Sequence, residues 1–244
     1  GMVPDLAFLI NVRNMAKAGF SADEIIGKMQ DRKFEGIWPH QAYAGYKALS
    51  QGVSKKRFEA EAYPKHLPVF EAILKSMVED HIPNMRGLGF GDVSGSMGVS
   101  LNEKSTLTLL DVSKVLCAAV AVTSGYAATF SDHGYIANIE GYKGPFDLVL
   151  NHPQMDKGWG STQVYGAVMD TIKYVKDHDI EPFKILYFFS DMQFHPPGQG
   201  GDGSFMNHKL PPLELALKEW QDAFGEAPLV ALWNLSSYEG APLK

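Results

Sequence analysis

The segment Gly91-Asp92-Val93-Ser94-Gly95-Ser96-Met97 sets a carboxylate and two hydroxyls at alternate positions of a turn. Side chains so spaced converge on one hard cation, and Gly95 permits the backbone bend between them. Oxygen-only donors favour Mg²⁺, Mn²⁺ or Ca²⁺ over zinc or copper. Two further oxygen donors accompany them: Thr162, in the glycine-rich run Gly158-Trp159-Gly160-Ser161-Thr162 that opens a helix, and Asp191, in Ser190-Asp191-Met192 after an apolar run. Each also has a plain structural reading. Asp and Ser stabilise a turn without any metal. Asp191 can cap at a strand end, and Thr162 can cap a helix, with Ser161 then the rival donor.

Several elements must position these residues. Apolar residues near helical spacing predict helices over 5–18, from about Ser21, over 40–49 and over 66–80. Gly19 offers a stop to the first, Ser21 and Glu24 form a capping box for the second, and Pro64 stands ahead of the last. After Pro83 short apolar runs alternate with helical stretches, the pattern of an α/β domain around a largely parallel sheet. Strands fit 87–91, Tyr126–Phe130, 135–139, 184–189 and 229–235, with 135–139 suited to an antiparallel edge. Helices fit 105–124, 163–177 and Pro212–Phe224. Asp92 and Asp191 then both follow carboxyl ends of strands, the edge where open parallel sheets bind ligands. The expected organisation is a helical segment over 1–83, the end of a helical array, followed by a metal-binding domain over 84–244, with the boundary near 81–85.

The composition is that of a soluble globular protein: 244 residues, 45% hydrophobic and 20% charged. No run approaches the roughly 18 apolar residues of a membrane span, and the start lacks a secretory pattern, so a cytoplasmic protein is expected. Gly1 ahead of Met2 reads as a residue left by tag removal, with a natural start at Met2 or a fragment both open. The single cysteine, Cys117, sits in the apolar run 115–122 and reads as a buried thiol. The net charge of −6 is uneven, with 11 basic and 10 acidic residues through Met85, then 11 and 18. An acidic C-terminal part repels phosphate backbones, so RNA contact would fall to the N-terminal part. Lys55, Lys56 and Arg57, with Arg13 and Lys17, are its candidate contacts or an ordinary solvated face. The eight histidines show no HxxxH spacing, which points away from zinc.

Asp92-x-Ser94-x-Ser96, then Thr162 in a glycine-rich turn, then Asp191 after an apolar strand resembles the metal-ion-dependent adhesion site (MIDAS) of von Willebrand factor A domains. The resemblance covers roughly residues 84–237 and fills all five motif positions. It implies a Rossmann-like α/β fold, a mostly parallel central sheet flanked by helices, here preceded by a small α-helical segment. It also implies that Ser94 and Ser96 bind the metal directly, Thr162 directly or through water, and Asp92 and Asp191 largely through water. One position would remain for an acidic ligand. Within that superfamily, Ser190-Asp191-Met192-Gln193-Phe194 and Leu232-Trp233-Asn234-Leu235 resemble the closing motifs of an uncharacterised family of plant and giant-virus proteins. The text over 9–18 and 38–49 is similar in character to the helical array of telomerase, Ro and vault (TROVE) proteins. The strand Gly87-Leu88-Gly89-Phe90-Gly91 departs from the family in its glycine content.

Three functions compete. The leading expectation is a non-enzymatic binding module whose Mg²⁺ captures an Asp or Glu of a partner protein. Its rival is a Ro-like RNA-binding protein that uses the N-terminal helices. A Mg²⁺-dependent phosphohydrolase is disfavoured, because Ser94 stands where a second Asp would be needed and no GxxxxGK[ST] loop occurs. No DNA or membrane partner is expected. Trp159, Phe194 and Trp233 could line a binding surface or serve as packing, and the loop over 195–203 could gate the site or be a plain insertion.

Overall fold

The computed structural model describes residues 4–29, 32–51, 62–78, 86–101, 105, 107–155, 160–192 and 212–236. The boundary near 81–85, the run Lys55, Lys56 and Arg57, Trp159, Phe194 and the loop over 195–203 lie outside them. Four helices come first: α1 (Asp5–Lys17), α2 (Ala22–Gly27), α3 (Pro39–Gln51) and α4 (Ala62–Val78). The Ser21 hydroxyl accepts the Glu24 N–H while the Glu24 carboxylate accepts from Ser21 N–H at 2.8 Å, so the expected capping box opens α2. The fourth helix begins before Pro64 rather than after it. Proline is tolerated there because the first turn has no intrahelical partner for its N–H.

The remainder alternates strands and helices: β1 (Gly87–Asp92), α5 (Leu109–Ser124), β2 (Tyr126–Phe130), β3 (Gly134–Asn138), α6 (Pro145–Asn151), α7 (Val164–Asp177), β4 (Ile185–Ser190), α8 (Pro212–Phe224) and β5 (Leu229–Asn234). The five strands form one sheet in the order β3-β2-β1-β4-β5, parallel except for β3, which pairs antiparallel with β2 at the edge. The fold is therefore α/β, a mostly parallel sheet flanked by helices. Among the described residues no helix is long and apolar enough to cross a membrane.

Helix α5 starts later than the expected 105, because Thr108 caps it. Its hydroxyl accepts from Asp111 N–H at 3.1 Å and Asp111 Oδ2 accepts from Thr108 N–H at 2.7 Å, while Thr108 also bridges Ser100. Helix α6 was not expected; Pro145 at its start supplies a preset φ.

The sheet buries two unlike faces. Leu88 and Phe90 of β1 join Phe130 and Phe188 beneath α7 and α8, where the Phe90 and Phe188 rings stack at 4.7 Å. The glycines of β1 serve the other face. A Cβ at Gly89 would sit 3.1 Å from Cys117 Cα and 3.2 Å from Val120 Cβ, so the missing side chains bring α5 down onto the strand. Cys117 is fully buried, its sulfur 2.9 Å from the carbonyl oxygens of Gly89 and Ala128, and burial pushes its thiol up to about 12. Over α5 and α6 lie α1 to α4, whose Phe8, Leu9, Phe70 and Ile73 share one core with Val115, Ala118 and Phe146.

Candidate metal centre

Strand order places β2 on one side of β1 and β4 on the other, so the chain reverses its direction of travel across the sheet between β1 and β4. The crevice outside the carboxyl ends of the strands at such a reversal is where open α/β sheets take ligands. Asp92 is the last residue of β1, Ser190 the last of β4, and Asp191 follows it.

Asp92 is fully buried, and both its oxygens accept hydrogen bonds. Oδ1 accepts from the Ser94 N–H at 2.8 Å, and Oδ2 accepts from the Ser190 hydroxyl at 2.5 Å. The Ser190 oxygen accepts in turn from Met192 N–H at 3.0 Å, which ties the residues flanking Asp191 to the same network. Beyond Asp92 the chain is held to β2 by Val93 N–H donating to Phe130 O at 2.9 Å. Ser94 then opens a single 3₁₀ turn, Gly95–Gly98, without a side-chain cap. The Ser94 and Ser96 hydroxyl oxygens stand 3.3 Å apart, with Ser94 buried and Ser96 half-buried.

Burial raises the pKa of Asp92 most strongly; the hydrogen bonds from Ser190 and Ser94 oppose it, and the negative charge of Asp191 adds to the rise. Asp191 is itself buried. The Asp191 carboxylate thus adds negative charge beside Asp92 at this sheet edge, and a cation would offset it.

Thr162, 1% exposed, reaches this edge on the turn before α7. Gly95 N–H donates to Gly160 O at 3.5 Å, joining the turn to the Asp92 loop, and Gln163 N–H donates to Ser131 O at 2.8 Å. The N-cap of α7 falls on Gln163, one residue beyond Thr162. Ser161, the rival donor, has its hydroxyl directed to Asp132 Oδ1 at 2.7 Å.

Two contributors escaped the sequence reading. Ser190 supplies a donor to Asp92, and its only sequence signal is a hydroxyl at the end of an apolar strand. Asp132 stands just past β2 at the same sheet edge and binds the Thr162 turn. Trp233, on β5, packs edge-on against Phe189 at 5.4 Å and lines an apolar cavity of about 430 Å³ with Trp38 and Tyr187. Its packing reading therefore has a concrete partner. Among the described residues no group of three or more His, Cys, Asp or Glu is disposed to hold a metal, and the set around Asp92 is of another kind, two carboxylates with three hydroxyls. No family model matches the chain, and no curated protein matches it.

Proposed function

We propose that residues 84–244 form a von Willebrand factor A-like domain and that Asp92, Ser94, Ser96, Thr162 and Asp191 hold one divalent cation, Mg²⁺ first, which captures an Asp or Glu of a partner protein. The observation that carries this reading is the 3.3 Å separation of the Ser94 and Ser96 hydroxyls beside a buried, doubly hydrogen-bonded Asp92. Adjacent ligands of an octahedral Mg²⁺ at its usual bond lengths lie about 3 Å apart, and those of Ca²⁺ a few tenths farther. The two hydroxyls need little movement for either ion. Both Asp92 oxygens already accept from the protein, which favours contact with the cation through water and leaves the direct positions to hydroxyls. A strand order with its reversal at this crevice supports the same reading.

With two carboxylates and neutral hydroxyls around it, the cation would keep an incompletely neutralised field, and an incoming carboxylate would gain a contact that water cannot match. We read the module as non-enzymatic, because Ser94 stands where a phosphohydrolase built on Asp92 would need a second Asp. The test is calorimetric titration of Mg²⁺ and Mn²⁺ into the wild type, Asp92→Ala and Ser96→Ala, followed by a short acidic peptide. Metal binding lost in both variants, with peptide binding only to the metal-loaded wild type, is the expected result. A wild type that takes up neither ion, or variants with unchanged titrations, would overturn it.

A further inference from the structure

The third segment of the crevice, the Thr162 turn, has no regular structure of its own; residues 160–163 lie outside any helix or strand. What fixes it is the turn that follows β2. Asp132 Oδ1 accepts from the Ser161 N–H at 2.6 Å and from the Ser161 hydroxyl at 2.7 Å. One residue farther, Gln163 N–H donates to Ser131 O at 2.8 Å, and its side-chain amide donates to Ser161 Oγ at 3.2 Å. Thr162 therefore sits between two neighbours that are both tied to residues 131 and 132. Gly160 completes the fit, because a Cβ there would lie 1.8 Å from Asp132 Oδ2. The carboxylate occupies the space that any side chain at 160 would need.

Asp132 is in turn displayed from a firm base. Ser131 N–H donates to His133 O at 3.1 Å, and Gly134 N–H donates to Asp170 Oδ2 on α7 at 2.9 Å. Gly134 lies directly on that helix, where a Cβ would meet Ala167 Cα at 2.6 Å. The turn after β2 is thus locked to α7 on one side and grips the Thr162 turn on the other. A ligand carried on a loop gains its precision from such supports.

We propose that Asp132 is a positioning residue of the metal centre: by holding both donors of Ser161 against the space left by Gly160, it sets where the Thr162 hydroxyl stands relative to Ser94 and Ser96. This rests on the metal reading of the site. The role is geometric, since one acceptor oxygen does the work, so a side chain that keeps the acceptor and loses the charge should keep the function.

Mn²⁺ titration of the full chain tests it, with Asp132→Ala, Asp132→Asn and Gly160→Ala beside Asp92→Ala, and thermal unfolding of each recorded without metal. Loss of an outer support of a metal site commonly weakens affinity about 10–100-fold. That loss is expected for Asp132→Ala and Gly160→Ala, while Asp132→Asn stays within a few-fold of wild type and all three unfold near the wild-type temperature. Asp132→Ala binding Mn²⁺ like the wild type, while Asp92→Ala has lost it, would sink the positioning role and leave the metal site standing. An Asn variant as weak as the Ala variant would also sink it, because charge rather than geometry would then be the contribution. A wild type that binds no Mn²⁺ removes the metal reading and this inference together.

Discussion

At the scale of single residues, the glycines of β1 decide how closely the sheet and α5 approach. Gly89 faces Cys117 and Val120, and Gly91 faces Ser113, whose hydroxyl donates to Phe189 O at 2.9 Å across the neighbouring strand. A larger residue would be favoured by strand propensity, yet Gly89→Val must push α5 outward. Overpacking of this kind costs about 1–3 kcal/mol, more than the ~1 kcal/mol span of strand preferences. Urea unfolding should therefore show Gly89→Val less stable than wild type by that amount, and a stabilised variant would mean that α5 does not rest on this strand. The glycines were visible in the sequence as a departure from an apolar strand, but their purpose was not, since it depends on a helix about thirty residues later in the chain. The same limit hid Ser190 and Asp132. Asp92, Ser94 and Ser96 announce themselves by type and spacing within one turn, whereas Ser190 matters only because β4 lies beside β1. Asp132 matters only because the turn after β2 meets the turn before α7. Neighbours across a sheet edge are set by strand order, which local pattern does not encode.

At the scale of elements, period and caps carried the outline. The strand at Tyr126–Phe130 and the helix at Pro212–Phe224 fall where apolar spacing put them. Helix α6 was illegible because it is seven residues long and owes its start to another element. Glu71, on α4, accepts from the Asp147 N–H at 2.7 Å, and Gly144 leaves room for it, as a Cβ there would lie 2.4 Å from the Glu71 carboxyl carbon. Burial pushes Glu71 up to about 7; hydrogen bonds from the Asp147 and Phe146 backbone oppose the rise, and the charge of Asp147 adds to it. A carboxyl whose folded pKa is raised stabilises the fold below its unfolded pKa and loses that contribution as pH climbs through the folded value. Stability should accordingly fall between about pH 4.5 and about pH 7 on account of Glu71. Glu71→Gln keeps an acceptor for the helix but does not ionise, so its unfolding free energy relative to wild type should rise across that window, by on the order of 1–3 kcal/mol. Parallel pH profiles for the two proteins would show that Glu71 is not the group responsible.

At the scale of the whole molecule, the change of apolar pattern after Pro83 suggests a helical segment over 1–83 followed by a metal-binding domain over 84–244, and one core includes residues of both. Phe8, Leu9, Phe70 and Ile73 pack with Val115, Ala118, Phe146 and Ala127, and Lys47 on α3 pairs with Asp111 on α5 at 2.5 Å. Phe70 lies near the centre of that layer, 1% exposed, with the Tyr46 ring edge-on at 5.5 Å and Gly45 close against it. If the helices and the sheet form one cooperative unit, truncating Phe70 must weaken structure on the far face of the sheet, where Trp220 of α8 is buried. Phe70→Ala should cost about 3–5 kcal/mol. Far-UV circular dichroism and tryptophan fluorescence should then report coincident denaturant transitions, both moved to lower urea. The crevice shares this dependence, because α5 links the helices to the strand that ends in Asp92. Transitions that do not coincide, with part of the helical signal lost before the rest, would make residues 4–78 an independent unit resting on the sheet. A single transition would mean that the crevice at Asp92 and the helices are stable only together, so that any ligand bound at that crevice would also stabilise α1 to α4.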